Sequence, residues 1–290
     1  MTYFGNLVVS GLAVGALYGL LAMGYAVIYK VSRVVNFAQG EIMMLIAYAA
    51  YATALRTDVS VPLVVVAVVV GAVATGFLIE RLIVRPMLGQ PIFSLVMMTI
   101  ALAVLIRSIV GMIWGREPYR FPGSAGSTPW QVGGIYVEPM QLWVLAIYGA
   151  ICVGIWAFLR FSIVGIAMRA TASDSTVAQL MGISVSRLYR VAWIISALIA
   201  GTAGVLFASI YHVGTDMAHL GIRAFPATIL GGLDSVLGSA LGGLVIGVVE
   251  NLAGGYVGSG YKEIAGFVVI VVVLMVRPYG LFGQRDIERV

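Results

Sequence analysis

Apolar positions in this chain do not alternate with polar ones; they come in runs. Leu7–Tyr29 holds no charge in 23 residues and Ile42–Leu55 none in 14, and further runs cover Val61–Ile79, Ile92–Ile113, Leu142–Leu159, Tyr189–Tyr211 and Ile264–Val276. A spanning helix needs about 20 apolar residues. Most of these runs are long enough, while the second and last are short and are predicted to extend into their neighbours or to be partly covered by protein. One more stretch, Phe225–Asn251, is broken by Gly231-Gly232-Leu233-Asp234. The pattern predicts an all-α polytopic membrane protein with about eight transmembrane segments, one domain over residues 1–290. No positive charge precedes the first run, and that run exceeds the roughly 7–15 apolar residues of a cleavable leader, so it is predicted to stay as a helix.

Composition agrees with a membrane. Hydrophobic residues make up 61% and charged residues 10% of the chain, against about 25% charged in soluble domains, and the mean hydropathy is +1.05. The net charge of +5 belongs to the loops rather than to nucleic acid. Placing Lys30–Gln39, Arg81–Gln90, Arg160–Leu188 and the tail after Arg277 on one side gathers most of the 17 Lys and Arg there, and the charge bias makes that side cytoplasmic. The Pro-, Gly- and aromatic-rich segment Trp114–Gln141 is then an external cap. Parity follows: for the tail to be cytoplasmic, Phe225–Asn251 must enter and leave on the outer side, as a half-helix, a turn at depth and a return. The competing reading is one kinked helix with the tail outside.

Polar residues inside such a chain need a reason. Asn36-Phe-Ala-Gln39-Gly-Glu41 sits between two uncharged runs. It is either an interfacial loop in which Asn36 caps a helix beginning at Phe37, or polar backbone lining a path at membrane depth, because ionisable groups there face a cavity or a partner. Gly231, Gly232, Asp234 and Glu250 are the other interruptions of this kind, while Arg107 reads as snorkelling outward. Gly11, Gly15 and Gly19 form a flat helix face for close packing, repeated by Gly238, Gly242, Gly243 and Gly247. In Ser162–Leu188, Ile166, Ala170, Val177, Leu180 and Met181 recur at near-helical spacing around Arg169, Asp174 and Gln179. This predicts a short amphipathic helix ended by Gly182, with Ser184 or Ser186 capping the next. Its single Arg and single Asp favour a partner's groove over a lipid surface. One cysteine, Cys152, and two histidines, His212 and His219, give no disulfide and no metal pattern, and no nucleophile motif or phosphate loop occurs. No cofactor is expected in this chain. If transport is nucleotide-driven, the ATPase is another chain.

The stretches GALYGLLAMGYAVIYKVSRVVNFAQGEIMMLIAY, GIAMRATASDSTVAQLMGIS, SALIAGTAGVLFAS, ATILGGLDSVLGSALGGLVIGVVEN and RPYGLFG resemble, in order, the permeases of branched-chain amino acid ABC transporters, of the LivH type. The resemblance implies a bacterial inner-membrane subunit that pairs with a second, similar permease. It further implies two ATPase subunits carrying ATP and Mg²⁺ and a periplasmic substrate-binding protein. It places the ATPase-contacting loop on Gly165–Ile183, where Arg169, Ala170, Ala178, Gly182 and Ile183 match and Asp174 is less diagnostic. Gln39 stands where the family often has His, which argues against proton coupling there. Related permeases carry urea or short amides. A stand-alone secondary transporter is a further alternative, although two equal inverted halves, its usual mark, are only weakly echoed in the sequence.

Overall fold

In a computed structural model the chain is a helical bundle; residues 2–57, 60–123, 129–132 and 134–283 are described. Eleven helices are present among them: α1 Thr2–Ser32, α2 Gln39–Arg56, α3 Val61–Ile79, α4 Ile92–Trp114, α5 Pro139–Phe161, α6 Ile163–Ser173, α7 Ser175–Leu180, α8 Val185–Ile210, α9 His219–Gly231, α10 Val236–Tyr256 and α11 Lys262–Val276. Seven are long and apolar enough to cross a membrane once α3 is extended to Met87 and α11 begins at the turn from Ser259. The expected eighth segment is α2, which is long but largely buried inside the others.

Contacts between remote segments define two ends. At one end, Tyr119 pairs with Val213, a hairpin of β1 Trp130–Val132 and β2 Ile135–Val137 donates from the Tyr136 amide to Asn6 Oδ1, and the Tyr3 hydroxyl reaches the Gly255 carbonyl. The external cap therefore lies with the start of α1 and the end of α10. At the other, basic end, Lys30 donates to the Asp234 carbonyl, and the Leu281 and Phe282 amides donate to the carbonyls of Leu230 and Gly231. The tail through Gly283 thus lies with the α9–α10 turn, as parity requires; residues 284–290 are outside the described region.

The predicted turn at depth is corrected. α10 has 21 residues, enough at about 1.5 Å each to cross a hydrocarbon core of roughly 30 Å. The Gly231–Asp234 turn lies at the basic end. The half-length element is α9, with 13 residues. It starts inside the bundle, where its Gly221 carbonyl accepts from the Tyr25 hydroxyl and an added Cβ on Gly221 would lie 2.7 Å from the Gly40 backbone. α2 begins at that same place, so two helix N-termini meet near half depth and point their helices toward opposite ends.

This meeting point relates two inverted halves. α1 packs on α9 and α10 as α8 packs on α2 and α3; α2 packs on α3 and α4 as α9 packs on α10 and α11. Glycine permits the closest of these approaches. A Cβ on Gly15 would lie 2.8 Å from both the Gly243 carbonyl and Leu244 Cα, so α1 and α10 touch backbone to backbone through Gly11, Gly15 and Gly19. The inverted halves, faint in the sequence, are plain in the packing, and they do not by themselves mark a secondary transporter.

Candidate functional site

The chain descends into the bundle through Asn36–Ala38 before α2 starts at Gln39. Asn36 does not cap a helix at Phe37: its Oδ1 accepts from the Ala38 amide, its Nδ2 donates to Gln39 Oε1, and α2 begins at Gln39. Gln39 Oε1 also accepts from Ser196 on α8 at 3.0 Å, and the same hydroxyl reaches the Gly24 carbonyl of α1. Asn36 and Gln39 are fully buried. They tie α1, α2 and α8 together instead of lining an open space.

Glu41 differs. It lies in the first turn of α2, where the helix dipole favours a carboxylate, and its Oε1 accepts from Arg107 of α4 at 2.6 Å. Glu41 is 6% and Arg107 39% exposed at the side chain. The expectation that Arg107 snorkels is overturned by this pair. Arg107 opens on a cleft of about 560 Å³ between α4 and the 3₁₀ turn Thr215–Ala218, lined by Arg107, Ser108, Met112 and Arg116 on one wall and by Thr215, Asp216 and His219 on the other. Asp216 pairs with His212 at 2.9 Å. On the basic side of Glu41, Phe37, Phe225 and Tyr25 come together with ring centroids 5.8 Å apart along the chain of contacts. The Phe37 amide is held by Thr99 of α4.

The remaining candidates fall elsewhere. Glu250 is buried against α1, accepting from the Tyr18 hydroxyl at 2.9 Å, and lies under Gly266 of α11. Gly231, Gly232 and Asp234 form the basic-end turn, with Gly232 at φ +98° and packed on Gly283. Asp234 accepts from Arg33 at 2.6 Å, and Arg33 also donates to the Ala172 carbonyl at the end of α6. Arg33 itself is left-handed, at φ +55°.

The expected single amphipathic helix is two, α6 and α7, broken at Asp174, whose Oδ1 accepts from the Thr176 and Val177 amides and so caps α7. Gly182, at φ +84°, ends α7 as predicted. The Ile183 amide reaches the Ala178 carbonyl and the Gly182 amide that of Gln179, the Schellman pattern. Ser184 stands at the cap position of α8 without a side-chain bond, and the Ser186 hydroxyl instead accepts from Arg85. Ile166, Arg169, Ala170, Val177, Leu180, Met181 and Gly182 are exposed, whereas Ala178 is 4% exposed and faces the bundle. A cluster not anticipated lies nearby: Glu80, buried in a π turn after α3, takes Arg190 at 3.1 Å and Arg85 at 3.6 Å. The signal was a carboxylate directly after a 19-residue apolar helix, with its partners far along the chain.

A bundle of inverted halves, with a charged pair between two of its helices and a polar cleft beside it, belongs to the class of membrane transport proteins. A family model described as "Branched-chain amino acid transport system / permease component" matches residues 7–276. The chain belongs to this family: it is a multi-pass membrane permease component, not an enzyme. It is 30% identical to the high-affinity branched-chain amino acid transport system permease protein LivH of Escherichia coli, over 99% of this chain and 98% of that one. It is 31% identical to BraD of Pseudomonas aeruginosa, a permease protein of the same description, over 97% and 96%. To a probable branched-chain amino acid transport permease of Methanocaldococcus jannaschii it is 28% identical, over 91% and 88%.

Proposed function

We propose that this chain is the inner-membrane permease subunit of an ATP-driven importer of branched-chain amino acids. It would work with a second, similar permease, two ATPase subunits that bind ATP and Mg²⁺, and a periplasmic binding protein. The names of the relatives favour this substrate over urea or short amides. The observation that carries the reading is the Glu41–Arg107 pair with its cleft. Arg107 stands within the 23-residue apolar helix α4 with its side chain 39% exposed, and a guanidinium facing lipid costs about 2.5–3.5 kcal/mol at the centre of such a helix and less toward its end. The face made by α2, α4 and the Thr215–Ala218 turn therefore meets water, in a path that the second permease completes. Glu41 holds Arg107 in place, and Asn36 and Gln39 hold the backbone behind it. The Phe37, Phe225 and Tyr25 rings close the path toward the basic end, so this conformation is open on the side where a binding protein delivers substrate.

Motion enters at the other end. Ile166, Ala170, Val177, Leu180 and Met181 present an apolar surface on α6, α7 and the cap that follows it to an ATPase groove. Arg169 and the Gly182–Ile183 turn flank it, Asp174 holds α7 in register, and Ala178 seats α7 on the bundle. Arg33 passes displacement of α6 to the α9–α10 turn through Asp234. Gly231 and Gly232 act there as part of that turn, and Glu250 as a packing residue.

Reconstitution in proteoliposomes tests this. Leucine uptake is expected to require ATP, the ATPase chains, the second permease and the binding protein together. Uptake by this chain alone, driven by an ion gradient, would restore the secondary-transporter reading and defeat this one.

A further inference from the structure

The cleft carries charge of both signs on facing walls. Only one N–H of the Arg107 guanidinium has an acceptor among the described residues, on Glu41, and its Nε is buried with none. A guanidinium offers five donors in a planar fork suited to a carboxylate. Across the cleft, the Asp216 side chain is 60% exposed beside His212, and Met112 supplies an apolar surface on the α4 wall. Hence the space meets an anion, a cation and an aliphatic group in one place.

Resting on the path proposed above, we infer that this cleft is a transient subsite for an α-amino acid zwitterion. Its carboxylate accepts from Arg107, its ammonium donates to Asp216, and its side chain lies along Met112. The subsite discriminates by what it leaves unpaired. An alkylamine of the same shape offers nothing to Arg107, and an alkylcarboxylate nothing to Asp216, so each forgoes one of the two charge-assisted contacts that the zwitterion makes. The permease thus adds a check for the zwitterion after release from the binding protein, which selects the side chain. Because Arg107 already shares its charge with Glu41, binding is weak and release stays fast.

Ser108 is exposed on the cleft wall and reports on occupancy without any transport measurement. The Ser108→Cys variant, in a Cys152→Ser background and in the assembled complex, is treated with a membrane-impermeant thiol reagent from the side of the external cap. The additions are leucine, 3-methylbutylamine or 4-methylpentanoate at millimolar concentration, without binding protein. Leucine is expected to slow labelling at least threefold and the two single-charge analogues to leave it unchanged. Asp216→Asn, at an exposed position, or Arg107→Gln should abolish the protection. Ready labelling that leucine does not slow overturns the subsite and leaves the path intact, and equal protection by either analogue replaces the zwitterion site with a simple charge site. If the thiol introduced by Ser108→Cys is unreactive from that side, the path reading falls and the subsite with it.

Discussion

Glu41 and Arg107 stand 66 positions apart, and each is unintelligible without the other. A carboxylate after a polar break is conspicuous in the sequence; an arginine inside an apolar run looks like a snorkelling end because no local pattern names its partner. Asn36, Gln39 and Ser196 show the same limit. Their polarity is legible, but whether they face a path or one another depends on a fold that brings α8 against α2. Removing one partner of a buried charge pair costs about 3–5 kcal/mol, and the exposure of Arg107 reduces that figure here. Glu41→Ala is therefore expected to lower uptake at least tenfold at saturating binding protein. The Glu41→Gln/Arg107→Gln double variant should do less harm than the product of the two single changes. Strictly multiplicative effects in this double-mutant cycle would show that the pair is not an interacting unit.

At the scale of elements, apolar runs located the long helices well, because length and hydropathy are local properties. Breaks were harder. The α6–α7 division at Asp174 and the late start of α2 both arise from side chains bonding to nearby amides, which a periodic apolar pattern does not record. Glycine shows what the sequence hides most clearly. Gly15 and Gly154 are the same residue in long apolar helices, yet an added Cβ meets the α10 backbone at 2.8 Å in the first case and nothing within 4 Å among the described residues in the second. Overpacking where the neighbour is backbone has no rotamer to yield. Gly15→Leu is expected to abolish recovery of monodisperse protein after detergent extraction, and Gly154→Leu to leave it within about twofold of the parent chain. Comparable recovery of both would mean that the α1–α10 contact is dispensable. Asp174→Ala should shorten α7 at a cost of about 1 kcal/mol, read as weaker association with the ATPase subunits at unchanged permease yield.

For the whole molecule, the arrangement of ends is what makes the parts a machine. Charge bias and parity put the tail with the basic loops, and the Leu281 and Phe282 bonds to α9 agree. The inverted halves escaped because their kinship lies in helix direction and contact order rather than in shared residues. Cysteines at Ser175 and Ser259 (Cys152→Ser background) should label from opposite sides of the membrane, Ser175 from the cytoplasm; labelling from one side would break the topology. Across this frame, Arg33 is the junction. It joins α1, the Ala172 carbonyl of α6 and Asp234 of the α9–α10 turn, and its left-handed backbone stores strain of about 1–3 kcal/mol that the surrounding contacts hold. A displacement of α6 by an ATPase therefore reaches α1 and the half-helix α9 together, at whose far end the Glu41–Arg107 cleft begins. Arg33→Ala keeps the docking surface of α6 and α7 and removes the link. The assembled variant is expected to retain ATP hydrolysis within about twofold while leucine uptake per ATP falls at least tenfold. Arg33→Lys should recover part of the loss, since an ammonium still reaches Asp234 but lacks the fork that also takes the Ala172 carbonyl. A parallel fall of hydrolysis and uptake, or unchanged coupling in the Ala variant, would show that motion travels by another route.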